Sequence, residues 1–188
     1  MRHPDTRVQV TKELFHRALL KLVKTKPIDR ITVKELVEEA RLNRGTFYLH
    51  YQIPRDVLKE IENEFVAENL SFFDHKWTVE TNQNVMENVF ACMLENQEIA
   101  RILMGENGDP QFTISLGNLV RGTVLDEWQR EHPGVEREQL ESLFEFVFYG
   151  STRLILNWID DNRGCSVQDL ARRLDRLGHY CQLALEEF

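Results

Sequence analysis

Apolar residues along this chain recur at spacings of three and four, and no stretch shows the strict alternation of a half-buried strand. A chain patterned this way buries helix stripes against helix stripes, so the expected fold class is all-α, with about nine helices. Leu14, Phe15, Ala18, Leu19, Leu22 and Val23 mark a first helix over about residues 6 to 25. Lys26-Pro27 closes it, because the residue before a proline is driven out of the α region. Thr32, with Glu35 three positions on, is a capping box that starts a second helix of about two turns carrying Val33, Leu36, Val37 and Ala40. Arg41-Leu42-Asn43 then breaks the pattern, Asn43 is a good N-cap, and about residues 44 to 51 form another short helix with Phe47 facing inward. Pro54 opens a fourth helix with Val57, Leu58, Ile61 and Phe65, running toward Phe72 and Phe73. Beyond it, helices are expected over about residues 82–97, 98–104, 110–131, 135–161 and 166–187, separated by loops rich in Gly, Pro and Asn.

The chain has 23 Lys and Arg against 31 Asp and Glu, a net charge of −8 that taken alone argues against a polyanionic partner. That average hides a division. Residues 1 to 59 hold 13 basic and 7 acidic residues, whereas residues 60 to 188 hold 10 and 24, and Lys76 is the only lysine after Lys59. A basic segment ahead of a larger acidic one suits a protein whose first part meets a polyanion and whose second part repels it. Chance clustering on solvated helix faces is the alternative.

Two short helices joined by a tight turn in a basic segment are what a helix-turn-helix requires, the first bracing on the DNA backbone and the second entering the major groove. Within Arg44-Gly45-Thr46-Phe47-Tyr48-Leu49-His50-Tyr51, Phe47 anchors inward and leaves Arg44, Thr46, Tyr48 and His50 for the groove and its phosphates. Arg44 suits base reading, since a guanidinium bonds bidentately to guanine O6 and N7. Gly45 costs a helix about 1 kcal/mol relative to alanine, which either close approach to a base pair or a tight helix start would justify. One of Tyr48 and Tyr51 is alternatively core packing, and His50 is alternatively a cap.

The run from Ile31 through the Thr32-to-Ala40 helix, followed by Asn43-Arg44-Gly45-Thr46-Phe47-Tyr48-Leu49-His50-Tyr51 and Asp56-Val57-Leu58, resembles the N-terminal domain of the tetracycline-repressor (TetR) family. The form of the Asn43–Tyr51 run is similar to the branch that includes the dihydroxyacetone-kinase regulators. The resemblance implies a dimeric transcription regulator, with repression as the family's usual mode, built from a three-helix DNA-binding domain over 1–53 and a helical ligand-binding and dimerisation domain over 54–188. It implies double-stranded DNA contacts from Thr32, Lys34, Asn43, Arg44, Gly45, Thr46, Tyr48, His50, Tyr51 and Arg55. Thr32 and Lys34 would meet phosphates, while Tyr48, His50 and Arg55 would clamp the backbone. Two positions depart from the family pattern: Arg41 stands where glycine is usual, and Pro54 stands where a phosphate-contacting lysine is usual, which passes that role to Arg55.

In the acidic part, Leu170, Leu174, Leu177, Cys181, Ala184 and Phe188 draw one narrow apolar seam on the last helix. The helix before it carries Leu140, Leu143, Phe144, Val147, Ser151, Leu154, Ile155 and Trp158 on one stripe, with Phe146, Tyr149, Gly150, Arg153 and Asn157 on other faces. A helix apolar on more than one side is buried on more than one side, so a two-fold four-helix interface is expected, with Leu143, Val147, Leu154, Trp158, Leu170, Leu174, Leu177, Cys181 and Ala184 in it. An effector pocket is expected among Phe65, Phe90, Met93, Met104, Phe112, Trp128, Phe144 and Phe148, with Asn118 and Arg121 as polar contacts; an ordinary core is the alternative for each. The effector is either an unidentified small molecule or a protein, the latter making the chain an adaptor-like regulator with no pocket.

No Gly-x-Ser-x-Gly, P-loop or His-Glu-x-x-His occurs, the six His show no zinc spacing, and Gly105-Glu106-Asn107-Gly108 lacks a preceding strand. No enzyme activity, cofactor or metal is expected. The three Cys are scattered, and the charged N-terminus and the absence of a long apolar run fit a cytoplasmic protein without a membrane span.

Overall fold

The computed structural model describes residues 6–69, 85–161 and 164–187. The fold is all-α, and the helices among these residues are α1 (Thr6–Val23), α2 (Val33–Ala40), α3 (Arg44–Tyr48), α4 (Pro54–Asn69), α5 (Val85–Glu95), α6 (Gln97–Met104), α7 (Pro110–Glu131), α8 (Arg137–Asp160) and α9 (Val167–Leu183). A 3₁₀ turn, Ile28–Arg30, precedes α2, and another, Ala184–Glu187, ends the described chain. Phe72, Phe73, the expected start of α5 near residue 82, and Phe188 lie outside the described residues.

The helix starts follow the expected chemistry. Thr32 Oγ1 accepts from the Glu35 amide at 3.3 Å while the Glu35 carboxylate accepts from the Thr32 amide at 2.9 Å, the reciprocal pair of a capping box. Asn43 Oδ1 accepts from the Thr46 amide at 2.8 Å, and Ser166 Oγ accepts from the Asp169 amide at 3.1 Å. Glu35 is held at a pKa of about 2 by its hydrogen bond from Lys26, then by those from the Thr32 backbone and side chain.

Arg41 closes α2 at φ 55° and ψ 38°, the left-handed conformation that the family's usual glycine adopts freely. A side chain in this conformation costs about 1–2 kcal/mol, and glycine's extra freedom in the unfolded chain offsets about half of the gain from relieving it. Arg41→Gly is therefore expected to stabilise by about 0.5–1 kcal/mol and raise the thermal midpoint by about 1–4 °C. A scan showing a lower midpoint would contradict a strained cap.

The chain forms two compact units by packing: described residues 6–69 with Ile102–Phe112, and described residues 85–101 with those from 113 onward. By this grouping α4 sits in the first unit; the functional division at 53/54 remains a proposal. The first core gathers Phe15, Leu19, Leu36, Phe47, Val57 and Leu58, all fully buried. Phe47 meets Phe15 edge-to-face with centroids 5.5 Å apart, and Tyr51 lies 5.7 Å from Phe47. In this unit the loop after α6 folds back: the Gly108 amide donates to Gly105 O at 3.1 Å, and Asn107 O accepts from the Ile28 amide at 3.0 Å. The second core stacks Phe144 on Phe148 at 5.4 Å and Phe148 on Phe90 at 6.5 Å. No helix of the described residues is long and apolar enough to cross a membrane.

Candidate nucleic-acid interface

A polyanion-binding surface needs cations and donors that the protein's own carboxylates do not neutralise. Between Glu39 and Asp56 the chain has no carboxylate, and this interval holds Arg41, Arg44, His50 and Arg55. The capped start of α3 fixes Arg44 at the first helical position, where its side chain is exposed and makes no ion pair among the described residues. Fully buried Phe47 pins the opposite face, so Tyr48, 60% exposed, projects outward with His50 half-buried beside it. Thr46 is half-buried, and its hydroxyl also reaches Asn43 Oδ1 at 3.2 Å. At the start of α2, the N-cap Thr32 and helical Lys34 are exposed; Lys34 has only a loose pairing with Glu38, at 3.8 Å. Leu49, 79% exposed beside Tyr48, is a surface residue that helical periodicity alone did not single out.

Gly45 has a physical account in the cap. A Cβ built there would lie 3.2 Å from Asn43 Oδ1, crowding the oxygen that holds the helix start. The tight helix start is thus one reason for the glycine.

Two of the expected DNA-facing residues are engaged inside the protein. Tyr51 is buried, and its hydroxyl donates to Glu60 at 2.5 Å, with His16 Nε2 at 3.4 Å. Burial, then the hydrogen bond to Glu60, drives its pKa far above the ordinary tyrosine value. Glu60 gathers Lys12, Tyr51 and His16 and so joins α1 to α4; burial opposes its ionisation, but hydrogen bonds from Lys12, Tyr51 and His16 outweigh this and hold its pKa at about 2. His16, Glu60 and Glu64 offer ligand atoms within 4.8 Å of one another, the one such grouping among the described residues. Both ring nitrogens of His16 already lie against carboxylates of this cluster, at 3.2 and 3.3 Å.

Arg55 is the second. Its guanidinium donates to Asp29 after α1 and to Asp109 before α7, and these two hydrogen bonds raise its pKa. Asp109 is buried, which opposes its charge, yet the Arg55 and Gln111 donors keep its pKa low. Arg55 thus ties the start of α4 to the loop 54 residues further on.

The residues expected to line an effector pocket are dispersed. Phe65 and Phe112 pair at 6.3 Å and, with buried Met104, belong to the first unit. Met93, Phe144 and Phe148 fill the second core. Asn118 is exposed, and Arg121 pairs with Glu145 at 3.0 Å while lying 5.7 Å over the Phe144 ring. Phe90 and Trp128 do line a cavity of about 760 Å³, open along α9, whose walls come from α5, α7, α8 and α9.

The expected dimer residues divide likewise. Leu143, Val147, Leu170 and Leu174 are covered within the chain, and Val147 and Leu174 wall the cavity. Trp158 is half-buried, its indole N–H donating to Cys165 O at 2.8 Å, and Cys181 is half-buried. Leu154 at 39%, Leu177 at 45% and Ala184 remain exposed. The periodicity undervalued Phe146, 70% exposed, which shares a helix face with Gly150 and Leu154, and Tyr180, 59% exposed, which shares one with Leu177 and Ala184.

The TetR C-terminal family described as "Transcriptional regulator C-terminal region" matches residues 80–180, more than half of the chain. The uncharacterized HTH-type transcriptional regulator YxbF of Bacillus subtilis (strain 168) is 34% identical over 70 residues, 35% of this chain but only 18% of that protein. Among solved structures, a TetR transcriptional regulator from Streptococcus agalactiae 2603V is similar with a TM-score of 0.68 at 19% identity, covering 93% of this chain and 96% of that one. The fatty acid degradation regulator FadR from Bacillus halodurans follows the same fold with a TM-score of 0.59 at 15% identity, over 97% and 96% of the two chains. The dihydroxyacetone kinase operon activator DhaS does so with 0.53 at 16% identity, over 95% and 98%. The chain belongs to the TetR family of transcription regulators.

Proposed function

We propose that this regulator is a repressor that binds a palindromic operator as a homodimer and is released by an effector held in its second unit. The observation that carries the reading is the capped α3 helix, which exposes Arg44 and Tyr48 in a stretch free of carboxylates while Phe47 locks its other face. A dimer sets two such helices about 34–36 Å apart, one DNA turn, or at a multiple of that spacing. The exposed apolar residues Phe146 and Leu154 on α8, with Leu177 and Tyr180 on α9, support a two-fold interface through these helices. The cavity supports a small-molecule effector, being within the range of about 300–1,000 Å³ typical of ligand sites. Such an effector releases DNA only by binding the non-operator spacing more tightly than the operator-bound one.

The test compares two variants on a bound duplex. Arg44→Ala is expected to weaken binding by about 1–3 kcal/mol and to relax base preference at one position of each half-site. Lys34→Ala is expected to weaken binding to all sequences alike and to reduce the salt slope by about 1. Unchanged affinity and base preference in Arg44→Ala would remove the recognition role from α3.

A further inference from the structure

We propose that the cavity along α9 binds an organic cation with an apolar body. The inference deepens the effector reading and takes its site from it, but the chemistry follows from the lining. The floor is apolar and aromatic, with Phe90, Leu94 and Trp128 under the opening. Around it stand four carboxylates: Glu95, Glu131 and Asp175 at the exposed edge and Glu127 buried deeper. Arg172 is the sole Lys or Arg in the lining, and it is bound to Asp169 at 2.6 Å. The lining therefore has an excess of negative charge over an aromatic floor, the combination that attracts a weakly hydrated cation through both charge and ring faces.

Other ligand classes fit less well. An anion would meet Glu95, Glu131 and Asp175 at the edge with one engaged guanidinium among the lining cations. A neutral apolar molecule of the same shape would bury the floor equally but shield the edge carboxylates Glu95, Glu131 and Asp175 from water without supplying a counter-charge. The acidity is also regional, since residues 72–101 and 113–188 of the second unit hold 18 Asp and Glu against 10 Lys and Arg, which raises the local concentration of any cation near the opening.

Methyltriphenylphosphonium and triphenylphosphine oxide have nearly the same shape and differ in charge, so they are the probes. Titration of the full-length protein without DNA, read by tryptophan fluorescence and calorimetry, is expected to give a cation affinity about tenfold above that of the oxide. The double variant Glu95→Gln/Asp175→Asn alters two exposed side chains and should fold normally. It is expected to remove most of that difference while leaving oxide binding within about twofold. Equal affinity of the two probes, no cation binding by a protein that still binds DNA, or a preference undiminished in the double variant would each overturn the inference. Cation binding that follows this pattern yet leaves DNA affinity unchanged would uphold the cation site and sink the effector-release reading instead.

Discussion

Phe47→Ala is expected to destabilise the first unit by about 3–5 kcal/mol, because the ring is fully buried and its loss leaves a cavity between α1 and α3. The five residues of α3 are too few to hold a helix by propensity, so packing through Phe47 and the Asn43 cap fix its direction. DNA binding should therefore fall together with stability. Phe47→Leu keeps an apolar side chain of nearer volume and is expected to lose less than about 1.5 kcal/mol and to retain DNA binding. Chemical denaturation followed by tyrosine and helix signals, with DNA binding measured on the same samples, checks both. An alanine variant as stable as the parent would mean that α3 is held by something other than this ring.

Gly108→Ala is the second large effect, at about 3 kcal/mol. A Cβ there would lie 2.3 Å from Leu103 O and 2.5 Å from Ile102 O, both backbone atoms that cannot swing aside. Relief requires the loop after α6 to move, and that loop carries Asn107 O to the Ile28 amide and Asp109 to Arg55. Gly134→Ala is the control, since no atom lies within 4 Å of the added carbon, and a change within about 0.5 kcal/mol is expected. If both variants unfold at the same denaturant concentration as the parent, the loop does not need its glycine.

These two sites also mark what the sequence can and cannot reveal. The helix starts at Thr32, Asn43 and Ser166 rest on side chains three residues from the amides they cap, and such local chemistry is readable along the chain. The inward position of Phe47 follows in the same way from periodicity. Gly108 gave no such signal, because the atoms that exclude a side chain belong to a fold-back of the chain and not to a turn motif. Arg55 was assigned to DNA by position, yet its Asp109 partner lies 54 residues away, beyond the reach of any spacing rule. Tyr51 and Glu60 are nine positions apart, but His16 and Lys12 complete their cluster from α1, and only the packing of α1 on α4 brings them together. On α9 the expected seam ran into two environments: Leu170 and Leu174 are covered within the chain, whereas Leu177 is open. A heptad-like spacing identifies an apolar stripe and is silent about which part of it the chain's own helices cover.

The most direct measurement is selection of bound sequences from random duplex DNA by the full-length protein at about 0.15 M salt, where nonspecific phosphate binding is weakened. Enrichment of a palindrome whose half-sites are separated by one or more DNA turns, with one half-site position losing its preference in Arg44→Ala, is the expected result. A folded dimer that enriches no sequence would contradict operator recognition by α3.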